Sequence, residues 1–133
     1  MAFVLDASVA VGWVVAKQAT EYSRNVRRIA RREPYHAPAP WQLEVANAIR
    51  TLVQRKSISV EAARTAIDIP ERMAPVIHAA RSDMSELLEI SIRYGLSVYG
   101  AAYLTLALEL HLPVACADGR LSKALKPAGL RKF

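Results

Sequence analysis

Two aspartates each follow a short apolar run, and this placement makes them the first candidates for chemistry. Asp6 ends the run "AFVLD" (2–6), and Asp118 ends the run "PVACAD" (113–118). Both runs are predicted to be buried strands followed by helices, the pattern of a parallel sheet covered on both faces. Ligands of such sheets bind in the crevice beyond the carboxyl ends of the strands. We therefore expect Asp6 and Asp118 to face each other across one site, although they lie far apart in the sequence.

A third acid, Glu44, lies at the edge of the apolar face of a predicted helix. That helix begins after Pro40 and runs through "WQLEVANAIRTLVQRK". At about 100° per residue, Glu44 lies roughly 60° from Trp41, which belongs to the apolar arc. Two interpretations stay open. Glu44 is a solvated carboxylate at the boundary, as periodicity alone favours, or it points into the crevice that holds the two aspartates.

The elements that must position these acids alternate between apolar runs and helices, which predicts an α/β fold. Further short strands are expected at "YHAP" (35–38) and "APVIHA" (74–79). The remaining helices are expected at 7–15, 18–33, 59–69, 83–94, 98–111 and 119–125. Ser8 is a predicted cap of the first of these. Ser82 or Asp83 is predicted to cap the helix through Tyr94, and Gly95 is predicted to end it. The chain is long enough for one domain, 1–133.

Composition and charge limit the classes of protein to consider. Hydrophobic residues make up 53% of the chain and charged residues 23%, so the chain is expected to fold. The net charge of +6 suits a polyanionic partner, nucleic acid above all. Cys116 is the single cysteine and is expected to be a buried thiol, which fits a reducing compartment. The N-terminus lacks the basic segment of a signal peptide, and no apolar run approaches the about 18 residues of a membrane span. A cytoplasmic protein without a membrane partner is therefore expected.

Four blocks of the sequence resemble the signature of PIN-domain proteins. They are "VLDAS", "PAPWQLEVANAI", "YGLSVYGAAYLTLA" and "LPVACADGRL", in order and with suitable spacing over nearly the whole chain. Within that family they are most similar to the VapC-like ribonuclease toxins of toxin–antitoxin pairs. The resemblance implies a PIN-like parallel sheet flanked by helices on both faces and a metal-dependent endoribonuclease activity. It also implies an RNA substrate, a cognate antitoxin and a homodimer.

The resemblance also assigns a site. In that family four acids gather at one end of the sheet and hold Mg²⁺ or Mn²⁺. Three of them are carried over onto Asp6, Glu44 and Asp118, as catalytic and metal-binding residues. Carboxylate oxygens suit Mg²⁺, and a bound ion can lower the pKa of a water molecule and stabilise charge on a phosphate.

The fourth acid is missing from the sequence. The family keeps it in the motif Tyr-Asp-Ala-Ala-Tyr, which here reads Tyr-Gly-Ala-Ala-Tyr at 99–103, so that Gly100 replaces an aspartate. A glycine costs roughly 1 kcal/mol in a helix interior and offers no oxygen. We expect weaker metal binding, much lower activity and an unchanged fold. Two origins stay open: a naturally attenuated protein, or an inactivating change that was introduced or selected, which the intact surrounding motif favours.

Three further polar residues match accessory positions of the family's site. Ser8 is expected either to hydrogen-bond a metal ligand or phosphate, or to cap its helix. Asn47 either orients a carboxylate or is a solvated helix residue. Arg120 is predicted to contact a phosphate.

The sequence also gives predictions for other charged and aromatic residues. Arg24, Arg27, Arg28 and Arg31 form one stripe of a predicted helix, which suits either RNA phosphates or a solvated face. The three histidines stand far apart without zinc-ligand spacing, so surface or core packing is expected for them. Tyr99 and Tyr103 are expected to be core or dimer contacts.

Two other functions are alternatives to the nuclease. A PIN fold without catalysis could bind RNA or an antitoxin. A phosphoacceptor regulatory domain is also doubly wound, but it needs several acids beside the first strand and a lysine after a late strand. This sequence has neither, so the phosphoacceptor hypothesis is disfavoured.

Overall fold

A four-stranded parallel sheet forms the centre of the computed structural model, which describes residues 1–117 and 119–133. The strands are β1 (Phe3–Leu5), β2 (Tyr35–Pro38), β3 (Val76–His78) and β4 (Val114–Ala115), in the order β3-β2-β1-β4. Val4 of β1 pairs with His36 on one side and with Val114 on the other. All four strands lie within the predicted runs.

Helices connect the strands and cover the sheet. They are α1 (Ala7–Val14), α2 (Glu21–Ala30), α3 (Trp41–Gln54), α4 (Val60–Ala66), α5 (Asp68–Arg72), α6 (Met84–Tyr94), α7 (Val98–Leu110) and α8 (Gly119–Leu125). The chain moves from β1 to β3 in one direction and returns to β4 in the other. Because parallel crossovers are right-handed, the two directions place helices on opposite faces of the sheet. Phe3, Val4 and Leu5 are accordingly fully buried. The predicted α/β class, with a parallel sheet flanked by helices, is confirmed.

Three predicted helix boundaries were wrong. Asp6, not Ser8, caps α1, because its carboxylate accepts from the Ser8 N–H. The helix expected from residue 18 begins only after Thr20, which forms a capping box with Ser23. The helix expected over 59–69 divides into α4 and α5. Pro70 has no N–H and clashes with the carbonyl four residues earlier, so α4 ends at Ala66.

Other local signals were correct. Asp83 caps α6, and Gly95 ends it in the left-handed conformation with φ +66°. Cys116 is a buried thiol beside β4, and its Sγ lies 3.2 Å from the Ser122 Oγ. In the part of the chain that the structure describes, none of the helices has the length and apolar character needed to cross a membrane.

Candidate functional site

A pocket of about 210 Å³ opens at the carboxyl end of β1. Its walls include Asp6, Ser8, Glu44, Ser97, Gly100 and Tyr103. β1 lies between β2 and β4, where the direction of the chain across the sheet reverses. This reversal is the place at which open parallel sheets bind ligands. The fold therefore brings Asp6, Glu44 and Gly100, which are distant in sequence, to one cavity.

Asp6 is held in a fixed orientation by Ser8. The Asp6 side chain is 94% buried (6% exposed), and its Oδ2 lies 3.3 Å from the Ser8 backbone nitrogen. The Ser8 hydroxyl donates a hydrogen bond to the same oxygen. It also accepts one, at 3.0 Å, from the Ala117 N–H, just beyond β4. Ser8 thus contacts a predicted metal ligand and ties the ends of β1 and β4 together.

Glu44 reaches the same pocket from α3. Pro40 stands at the N-cap of this helix, and the Glu44 N–H donates to the Pro40 carbonyl at 2.9 Å. The Glu44 side chain is half-buried and lines the pocket opposite the end of β1. Of the two interpretations of Glu44, this geometry agrees with the one in which it points into the crevice.

Tyr103 is a pocket residue whose significance the sequence did not indicate. The side chain is 1% exposed and belongs to the core, as expected, yet the residue also lines the pocket. Burial raises the pKa of Tyr103, and the charges of Asp6 and Glu44 raise it further, so the hydroxyl stays protonated. The Glu44 carboxylate is a neighbouring acceptor of this hydroxyl, although among residues 1–117 and 119–133 no contact has full hydrogen-bond geometry. The signal that could have found it is its position three residues after Gly100, on the same face of a helix.

Gly100 lies in the first turn of α7. Ser97 caps that helix, with its Oγ accepting from the Gly100 N–H at 3.0 Å. A Cβ atom at position 100 would lie 3.3 Å from the Leu96 Cβ and 3.5 Å from the Ser97 Oγ. A side chain at this position therefore needs only a small shift of Leu96. With glycine, residue 100 offers no side-chain oxygen to the pocket that it lines.

The structure does not place the other predicted site residues, Asn47, Arg120 and Asp118, on the described wall of the pocket. Asn47 is exposed on α3 and is not part of the pocket wall, although its neighbour Ala48 is. Arg120 is exposed in the first turn of α8. Asp118 lies outside the described residues, so its role stays a prediction from the sequence.

Two of the three histidines, which stand far apart in the sequence, meet in the fold. The Nδ1 atom of His36 lies 2.9 Å from the Nε2 atom of His78. Parallel pairing of β2 with β3 aligns Pro38 with His78 and so brings the two rings together. Burial lowers the pKa of His36, and the neighbouring His78 lowers it further. This pair belongs to the sheet and not to the pocket.

Three of the four arginines in the predicted stripe are exposed, and the fourth is bonded within the protein. Arg27 is half-buried, and its guanidinium donates to the Trp13 carbonyl at 3.3 Å. Arg24, Arg28 and Arg31 are exposed on α2. Because α2 packs against α1, these cations lie on the element next to the one that supplies Ser8 to the pocket.

The donor set of the pocket fits a hard cation. It comprises the carboxylates of Asp6 and Glu44 and the hydroxyls of Ser8, Ser97 and Tyr103. Mg²⁺ prefers oxygen ligands, keeps several waters, and is commonly bound through one or two carboxylates. Within the described ranges, no group of three or more His, Cys, Asp or Glu side chains is arranged to hold an ion. The acidic side chains on the described wall of the pocket are those of Asp6 and Glu44.

Comparison with known proteins establishes the fold alone. No protein-family model matches the chain. No curated protein matches its sequence. The structure is similar to the crystal structure of PAE2754 from Pyrobaculum aerophilum, with a TM-score of 0.74 and 18% sequence identity. The alignment covers 99% of this chain and 83% of the other.

Proposed function

We propose that this chain is an attenuated Mg²⁺- or Mn²⁺-dependent endoribonuclease of the VapC-like toxin type that its sequence resembles. The observation that supports the proposal most is the single pocket that has Asp6, Glu44 and Gly100 on its walls. Asp6 and Glu44 would hold the ion, with Asp118 as the further ligand predicted from the sequence. When bound, such an ion lowers the pKa of a water molecule and stabilises charge on the phosphate.

The residues of the pocket have separable roles in this proposal. Ser8 fixes the orientation of the Asp6 carboxylate in advance of ligand binding. The Tyr103 hydroxyl, which stays protonated, is a hydrogen-bond donor and not a base. Gly100 accounts for the attenuation, because it removes one carboxylate from a site whose function depends on accumulated negative charge.

RNA and protein partners follow from charge and from exposed apolar surface. The net charge of +6 and the exposed arginines of α2 suit a phosphate backbone, and Arg120 is placed on the exposed first turn of α8. On α6, Met84, Leu88 and Ile92 form an exposed stripe at intervals of four residues. An apolar stripe of this kind is typical of a protein interface, which supports the homodimer and antitoxin partners. A cytoplasmic location is part of the same proposal.

A cleavage assay tests the proposed activity. The native chain, the Gly100→Asp variant and the Gly100→Asp variant that also carries Asp6→Asn are incubated with a pool of structured RNAs and Mg²⁺ or Mn²⁺. Gly100→Asp is expected to cleave at least tenfold faster than the native chain, and a chelator or the added Asp6→Asn is expected to abolish the gain. If Gly100→Asp folds, binds metal and cleaves none of the RNAs, the enzymatic proposal is wrong.

A non-catalytic binding module is the second candidate. It is favoured by the pocket wall at Gly100, which contributes no oxygen ligand. Such a module would bind RNA or an antitoxin with an affinity that a chelator leaves unchanged, and Gly100→Asp would confer no cleavage.

A further inference from the structure

We infer that the space beside Gly100 is a subsite for a carboxylate supplied from outside the chain, which binds together with the metal and replaces the missing acid. The inference rests on the proposed metal site and specifies what completes it. The ligand is a small monocarboxylate group, either free or carried by an aspartate or glutamate side chain of a partner.

The first argument is space. Position 100 lines the pocket, and the nearest described atoms to a Cβ there belong to Leu96 and Ser97, at 3.3 to 3.6 Å. The pocket has a volume of about 210 Å³, which exceeds what a formate or acetate ion occupies. A carboxylate that enters therefore finds the room that an aspartate side chain would have used.

The second argument is the electrostatics of α7. This helix has 13 residues and begins at Ser97, so its positive end faces the pocket at Gly100. The first N–H groups of a helix lack partners within the helix and favour an anion. In this chain no acidic side chain occupies the first turn of α7.

The third argument, independent of the helix end, is Tyr103. Its hydroxyl is buried, and Tyr103 is a residue of the pocket wall. The Glu44 carboxylate is a neighbouring acceptor, but no contact with the described residues has full hydrogen-bond geometry. Tyr103 lies one turn after Gly100, and long side chains on a helix lean toward its N-terminus, which is the side of the missing side chain. A buried donor whose hydrogen bond is incomplete is costly, and a carboxylate oxygen would complete it.

The charges in the pocket make the two ligands cooperative. Without a cation, Asp6 and Glu44 repel an incoming carboxylate. With a divalent cation bound in the pocket, its positive charge offsets the repulsion from Asp6 and Glu44, and the incoming carboxylate adds an oxygen ligand. By linkage, each ligand must then tighten the binding of the other by the same factor.

The test is a titration of the native chain with Mn²⁺, in which free Mn²⁺ is followed by electron paramagnetic resonance. Parallel titrations contain sodium chloride, sodium formate or a blocked aspartate, N-acetyl-aspartate methylamide, at equal ionic strength. The apparent Kd for Mn²⁺ is expected to fall at least threefold in formate. A fall with formate alone identifies a subsite for free ions, and a fall with the blocked aspartate identifies one that also takes a side chain. If neither carboxylate tightens Mn²⁺ binding, the inference is overturned.

Two variants make the result specific. In Gly100→Asp the side chain occupies the subsite, so Mn²⁺ should bind more tightly than to the native chain and formate should have no effect. In Tyr103→Phe the ratio of the Mn²⁺ Kd in chloride to the Mn²⁺ Kd in formate should be at least twofold smaller than in the native chain. If Gly100→Asp binds Mn²⁺ tightly but carboxylates leave the Mn²⁺ affinity of the native chain unchanged, the inferred subsite is wrong and the proposed function stands. If Gly100→Asp gains no Mn²⁺ affinity, the proposed metal site is wrong as well.

Discussion

Ser8 and Asp6 are joined twice, since both the N–H and the hydroxyl of Ser8 are hydrogen-bonded to Oδ2 of Asp6. The hydroxyl also accepts from the Ala117 N–H, which lies beyond the last residue of β4. The orientation of the Asp6 carboxylate and the link between the ends of β1 and β4 therefore both depend on Ser8.

Replacing Ser8 with alanine should destabilise the fold and weaken the site together. Hydrogen bonds to a charged group contribute about 1.5–3 kcal/mol each, and the Ala117 N–H loses its acceptor. We expect the free energy of unfolding, measured by urea denaturation, to fall by about 2 kcal/mol. Ser8→Thr keeps the hydroxyl and should lose less than half as much. Equal losses in the two variants would show that the hydroxyl is not the cause.

Glu44 and its neighbour Asn47 provide a matched pair on α3. Glu44 lines the pocket, whereas Asn47 is exposed outside it. In the Gly100→Asp background, Glu44→Gln should weaken Mg²⁺ binding at least tenfold, because a charged ligand becomes neutral. Asn47→Ala should change it less than twofold. Isothermal titration calorimetry measures both, and an effect of Asn47→Ala as large as that of Glu44→Gln would contradict the assigned geometry.

Gly100→Asp should have opposite effects on stability without and with metal. Two like charges 4 Å apart cost about 4 kcal/mol at an effective dielectric constant of about 20. An acid in the first turn of a helix recovers only about 0.3–1 kcal/mol. Without metal, Gly100→Asp should therefore melt at a lower temperature than Gly100→Asn, which has the same shape and no charge. In Mg²⁺ the order should reverse, and an unchanged order would contradict a shared anionic pocket.

The His36–His78 contact predicts a dependence of stability on pH. The pKa of His36 in the folded chain lies below its unfolded value of about 6.5. The unfolded chain therefore takes up a proton first, and the free energy of unfolding should fall as the pH drops below about 6.5, levelling off below the folded pKa. His36→Gln should show a smaller fall over the same range in urea denaturation. Parallel pH profiles for the two proteins would show that His36 is not responsible.

Features set by local sequence were predictable. The apolar run that ends in Asp6 identified β1 and the edge of the sheet at which the pocket lies. The caps of α6, at Asp83 and Gly95, were found because capping depends on one or two side chains and a single backbone conformation. Glu44 could be placed on the border of a helix face, but only packing decided that this border adjoins the pocket.

Features set by packing between distant segments were not predictable. The register between β2 and β3 decides that His36 meets His78, and nothing near either histidine encodes that register. Tyr103 looked like a core residue because periodicity reports burial, but it does not report where the end of a long side chain lies. Asn47 followed the pattern of a known motif, yet the rotation of α3 leaves it exposed.

The central claim is that Asp6, Glu44 and position 100 surround one divalent-cation site that glycine leaves incomplete. It is tested most directly by Mn²⁺ titration of the native chain, of Gly100→Asp, and of Gly100→Asp that also carries Glu44→Gln, followed by electron paramagnetic resonance. The account predicts that Gly100→Asp binds Mn²⁺ at least tenfold more tightly than the native chain, and that the added Glu44→Gln removes the gain. Equal affinity of the native chain and a folded Gly100→Asp variant would contradict it.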